Sequence, residues 1–295
     1  MKNGCVARIL SAVPMMVLVS LGIARPAQNA QSPADQTQAP KPSLAAILKA
    51  TGDYCEIVKK MSLYFVCNER IQAKENFFTR GKAASRSTPD ALLLSKVIRQ
   101  SFLYDYQIIK KGEEFEEKRI LLEENGKSRR RENADLGTLK VSGRNLVFGP
   151  VGFFSRYWQK YFNYEVLGED VLNGRTVVII GVVPNEKREE NNNRGKTWID
   201  ASNYQILRIE FEPPSGQDAD VTFEGNTPKA AEFHRHFVWT IDYGVEKNGV
   251  RFPSRQTISE NLVSSTGFKI TKRDVLFEFT NYRFFTVDVE HKFMP

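Results

Sequence analysis

The chain has 295 residues, 41% hydrophobic and 11% aromatic, and its 42 Lys and Arg against 35 Asp and Glu give a formal net charge of +7. That length holds one large all-β domain or two small ones. A nucleic-acid binder gathers its positive charge on one face, whereas the only basic run here, KSRRR at residues 127–131, follows Glu123-Glu124, so nucleic acid is excluded as a partner.

Lys2 and Arg8 precede an apolar run at residues 9–23, and small residues follow at Gly22, Ala24, Ala27 and Ala30. This is the plan of a secretory signal peptide over residues 1–30. The run is short for a membrane span, which needs about 20 residues, and Pro14 interrupts it. Cleavage is expected between Ala24 and Ala30, with an uncleaved anchor as the alternative. The mature protein would be soluble and periplasmic, with a charge of +4 once Lys2, Arg8 and Arg25 are gone. Cys5 lies too early to be a lipidated cysteine.

Residues 31–42 (QSPADQTQAPKP) lack core-forming side chains and read as a disordered linker to a domain at 43–295. Ser43 can cap a helix beginning at Leu44, with apolar residues at helical spacing and Gly52 as a place to kink. Two cysteines remain after the leader, Cys55 and Cys67. In an oxidising compartment an isolated pair predicts a disulfide, with two separately buried thiols as the alternative. Twelve residues of helix span about 18 Å, but bridged Cα atoms lie about 5.5 Å apart. A bridge therefore requires the chain to reverse between helix and strand.

Residues 63–78 switch to a period near two and predict a long strand. Residues 79–90 read as a polar loop, and 91–99 fit helix and strand equally. A hairpin is expected from 102–110 and 114–122 around Lys111-Gly112-Glu113, followed by a charged surface connection over 123–139. Gly149-Pro150 opens a helix of about three turns, since proline suits the first helical position. Phe154, Tyr157, Trp158 and Tyr161 line one side of it.

Residues 164–210 organise the rest. Asn173-Gly174 is a strong hairpin signal between two apolar runs. Residues 175–183 read as a strand covered on both faces, 185–194 as a solvated loop, and 195–200 with 204–211 as a second hairpin around Ala201-Ser202-Asn203. A loop at 213–229 and strands at 233–245, 250–263 and 267–287 complete nine or ten strands with two or three helices.

Catalytic motifs are scarce: no G-x-S-x-G, H-E-x-x-H, Walker loop or G-x-G-x-x-G occurs. Glu232, His234 and His236 alternate on one strand face and could ligate zinc, although three or four converging ligands are needed; a solvated strand face is the plainer reading. Paired carboxylates sit at turns or alternate with Lys and Arg. The expectation is a protein without catalytic residues, metal or cofactor. Phe153, Phe154, Tyr157 and Trp158 are either core residues or a lid over an apolar ligand cavity. The strand residues expected to line that cavity are Val178, Ile180, Ile209, Phe211, Phe237, Trp239, Ile241, Phe277 and Phe279.

LGEDVLNGRTVVIIGVVP (167–184), GKTWIDASNYQILRIE (195–210) and FEFTNYRFF (277–285), behind a secretory leader, resemble the periplasmic lipoprotein carriers of the LolA/LolB type and outer-membrane lipoprotein-sorting-like proteins. The likeness covers residues 44–285. It implies a mainly β, α+β fold: a strongly curved antiparallel sheet of ten or eleven strands forming an open half-barrel, with helices on the concave side. It further implies a non-enzymatic carrier or chaperone for acyl chains of lipids or lipoproteins, with an envelope or membrane protein as possible partner. An envelope interaction or sensor module with a filled core is the alternative. A metal protein or enzyme using Glu232, His234 and His236 ranks third.

Overall fold

Ser43 opens the first helix, its hydroxyl accepting from the Ala46 amide at 3.3 Å and so satisfying a donor that a helix start leaves bare. In the computed structural model the described residues are 42–63, 65–80, 92–111, 114–134, 136, 149–186, 194–212, 233–264 and 267–285. The leader, the linker up to residue 41, Glu232, His291 and most of the loops expected at 79–90, 185–194 and 213–229 lie outside them. Helix α1 (Leu44–Met61) continues as one helix through Gly52. Gly52 marks a close approach: a Cβ there would lie 2.9 Å from Gln159 Nε2 and 3.3 Å from the Phe154 carbonyl oxygen.

The chain then forms β1 (Phe65–Arg80), β2 (Leu92–Lys111), β3 (Glu114–Glu124) and β4 (Lys127–Arg131). Two short helices follow, α2 (Gly149–Phe154) and α3 (Arg156–Gln159). The meander is β5 (Phe162–Leu172), β6 (Arg175–Pro184), β7 (Arg194–Asp200) and β8 (Ile206–Glu212). Last come β9 (Phe233–Asp242), β10 (Val245–Lys247), β11 (Val250–Phe252), β12 (Arg255–Ser264) and β13 (Lys269–Phe284). Eleven strands make one sheet in the order β4-β3-β2-β1-β13-β12-β9-β8-β7-β6-β5, and β10 with β11 forms a separate ribbon. The pairings of this sheet are antiparallel. Twist accumulates from strand to strand, and a sheet of this width curls. Among the described residues it stays open at β4 and β5, an open half-barrel with three helices. One core joins α1, α2 and the inner face from β3 to β6.

Asn173 and Gly174 turn β5 into β6 with φ of 53° and 77°, as their sequence predicts. Asn125 and Gly126 do the same at 50° and 75°, so the expected surface connection at 123–139 contains a hairpin into the fully exposed edge strand β4. The ambiguous segment 91–99 lies, over its described residues 92–99, at the start of β2. The aromatic helix is not continuous but breaks at Ser155, whose backbone is extended (φ −61°, ψ 150°). Strand β6 buries Val178, Ile180 and Val182 inward, while outward only Val177 is buried and Val183 is exposed; cover on both faces is thus confined to one end.

The expected disulfide is not formed. Cys55 and Cys67 are both buried free thiols. The chain does reverse between them, but the side chains serve different neighbours. Cys55 Sγ donates to the Pro150 carbonyl at 3.4 Å, toward α2, and Cys67 lies beside the Tyr282 hydroxyl of β13. Burial pushes both thiols well above their ordinary range.

Candidate functional site

Strand register builds the inner face in rows. One row runs across Tyr164, Val182, Gly195, Phe211, Trp239, Ile258, Val275 and Ala73. The next runs across Val166, Ile180, Thr197, Ile209, Ile241, Gln256, Phe277, Ile71 and Phe102. Val178 and Phe279 flank these rows on one side and Phe237 on the other. Side chains alternate along a strand, so the nine strand residues singled out from the sequence share this face.

Helix α2 lies over it. A Cβ on Gly149 would come within 2.6 Å of the Tyr243 hydroxyl and 3.6 Å of Ile209 Cδ1, so only glycine fits so close to the sheet. The Phe153 ring sits 5.1 Å from Phe211 and 5.3 Å from Phe162, edge-on to the latter. Phe211 stacks on Trp239 at 4.4 Å. Phe154 is wholly buried and packs 5.5 Å from Tyr164, whose hydroxyl donates to the Phe153 carbonyl at 2.5 Å. The break at Ser155 turns the following residues away. Trp158 packs against Tyr157 and Tyr161 and is only partly buried, and Tyr157 is 59% exposed. Of the thirteen aromatic and aliphatic residues proposed as lining, all but Tyr157 belong to the core or pack against it. Gln159 Nε2 ties α3 back to α1 by donating to the Leu48 and Phe154 carbonyls at 2.8 and 2.7 Å.

Polar groups on this face escaped the sequence reading. Glu69 is wholly buried beside Phe279 and Tyr104, and Arg119 meets it through Nε at 2.6 Å and Nη2 at 3.0 Å. Burial pushes the Glu69 carboxyl up, and the Arg119 guanidinium pulls against it. Arg119 also donates to Glu117 at 2.9 Å and lies 4.7 Å over the Tyr106 ring. Farther along, Glu260 is wholly buried, with Lys272 Nζ at 3.4 Å and Arg235 Nε at 3.6 Å from its Oε1. The one available signal was Glu69 itself, a carboxylate in phase with Cys67 and Ile71. Of the E-x-H-x-H array, His234 and His236 fall on β9, but only the His236 side chain is described, and it is exposed. Among the described residues no group of three His, Cys, Asp or Glu side chains could hold a metal.

The chain is similar to several solved structures. A LolA superfamily protein from Nitrosomonas europaea aligns over 82% of this chain and 94% of its own, at 11% identity and a TM-score of 0.35. A DUF1329 family protein from Desulfovibrio piger aligns over 82% and 94%, at 11% identity and a TM-score of 0.36. A domain assigned to outer membrane lipoprotein sorting, from Vibrio parahaemolyticus, aligns over 82% and 95%, at 10% identity and 0.33. No family model matches the chain, and no curated protein matches it. Among the described residues no helix is long and apolar enough to cross a membrane.

Proposed function

We propose that this chain is a non-enzymatic periplasmic carrier or chaperone that holds acyl chains of lipids or lipoproteins against the inner face of its sheet. The observation that carries this reading is the mostly apolar track Ile180–Thr197–Ile209–Ile241–Gln256–Phe277, with Phe211 and Trp239 beside it, beneath a helix of only six residues. Each methylene buried there is worth about 0.8 kcal/mol, so a twelve-carbon chain gains roughly 9 kcal/mol before ordering losses. Phe153 occupies the track in the unloaded protein. Loading displaces α2, with Gly149 and the break at Ser155 as its two bending points. Residues 1–30 direct export and are removed. The test is saturable displacement of a fluorescent fatty-acyl probe from the purified protein, together with native mass spectrometry of protein recovered from its own envelope. Bound acyl species are expected; a protein that rejects every acyl probe and emerges empty ends this reading.

The ring contacts Phe153–Phe211–Trp239 favour a second reading, an envelope interaction module whose core is filled by its own side chains. Under that reading Phe153→Ala creates no acyl affinity.

A further inference from the structure

Several buried polar atoms on the inner face have no hydrogen-bond partner among the described residues: both amide atoms of Gln256, Glu260 Oε2, Trp239 Nε1 and Thr197 Oγ1. An unsatisfied buried donor or acceptor is costly, and native proteins hold few of them. Three of these residues converge. Gln256 stands opposite Ile241, Trp239 lies two residues along that strand opposite Ile258, and Glu260 is two further on opposite Phe237. All three face inward from the adjacent strands β9 and β12: Trp239 lies diagonally, about 7–8 Å, from each of the other two, and Gln256 and Glu260 stand four residues apart along β12, about 13 Å, on either side of it. Gln256 and Glu260 are wholly buried. Trp239 stacks on Phe211, next to Phe153, and Gln256 sits between Ile241 and Phe277, which sets the cluster within and beside the apolar track.

The free atoms are two donors, Gln256 Nε2 and Trp239 Nε1, and two acceptors, Gln256 Oε1 and Glu260 Oε2. A carbonyl with an adjacent N–H answers both. An ester supplies only the acceptor and leaves both Gln256 Oε1 and Glu260 Oε2 bare, whereas the single amide N–H satisfies one of them. A carboxylate meets the Glu260 charge, whose cationic neighbours Lys272 and Arg235 are turned to Oε1. We propose that Gln256, Trp239 and Glu260 form a subsite for the amide linkage of an N-acyl ligand, a specificity that rests on the acyl-carrier reading.

The experiment compares N-methyldodecanamide with methyl dodecanoate as competitors of a fluorescent acyl probe on the mature protein. The amide is expected to bind about tenfold more tightly, the worth of one well-made hydrogen bond in a dry site. Gln256→Met brings that ratio near one, Trp239→Phe lowers it about threefold, and Thr257→Val, on the alternate face of β12, keeps it. An N-dodecanoyl tripeptide binding more tightly than N-methyldodecanamide assigns the linkage to an acylated polypeptide; equal binding assigns it to an amide-linked lipid. Equal affinity of amide and ester in the wild type means that ordered water satisfies these atoms and overturns the subsite, as does a preference that survives both Gln256→Met and Trp239→Phe. Failure of every competitor and of the probe itself refutes the carrier reading, and the subsite with it.

Discussion

Replacing Arg119 by methionine keeps much of its aliphatic stem and removes its charge. The Glu69 carboxylate, wholly buried, then loses two hydrogen bonds of 2.6 and 3.0 Å, and Glu117 loses one of 2.9 Å. Removing one partner of a buried ion pair costs about 3–5 kcal/mol, because the other charge stays behind. In a domain of this size that lowers the melting temperature by roughly 10 °C. The loss depends on pH. Burial already raises the Glu69 carboxyl, and Arg119 is what restrains it. Without Arg119 the folded-state value climbs further above the unfolded value of about 4.3. The folded variant then binds a proton where the unfolded chain has released it. Its stability is greatest below about pH 4.3 and declines as pH rises through the raised folded value. The deficit against wild type is therefore larger at pH 7 than at pH 5. Urea unfolding followed by tryptophan fluorescence at both pH values measures it. A deficit below about 1 kcal/mol at pH 7, the scale of an exposed pair, or the same deficit at both pH values, refutes the buried-pair argument.

Gly195→Ala should destabilise by more than about 3 kcal/mol, since its Cβ would fall 2.2 Å from the Glu210 carbonyl oxygen of the paired strand; a normal urea midpoint would show that the strands can part there. Phe153→Ala should cost about 3–5 kcal/mol in thermal unfolding while strengthening acyl-probe binding, because it removes the ring that occupies the track; weaker probe binding speaks against the plug. Cys55 and Cys67 should resist iodoacetamide in the folded protein and react in urea, because burial keeps both protonated. Adding reductant should leave the melting temperature unchanged.

Much of the fold could be read from local chemistry. Ser43 announces α1, and Asn173-Gly174 and Asn248-Gly249 announce their turns, each with both residues at positive φ. Asn125-Gly126 carries the same signal but was masked by flanking charge, which reads as loop although it here decorates an edge strand. Residues 91–99 were ambiguous because apolar residues at 92–94, 97 and 98 fit either period. The alternation of apolar residues exposed the inner face, yet Tyr157 was misplaced, since helical spacing presumes a helix that continues and this one stops at Ser155. Gln256, Glu260 and Arg119 were invisible for a related reason. A polar residue in an alternating strand reads as solvent-facing until register shows what stands opposite. The cysteine pair failed differently: compartment bears on whether a bridge is permitted, not on where two side chains point.

The pairing of β1 with β13 matches residue 65 with residue 284 in the middle of the sheet. The first strand of the domain thus waits for nearly the last to be synthesised before it gains its second neighbour. Closing so long a loop is slow, and until then both arms offer raw central edges to other chains. A stop codon before Lys269 would remove the seam between the two halves rather than trim an end.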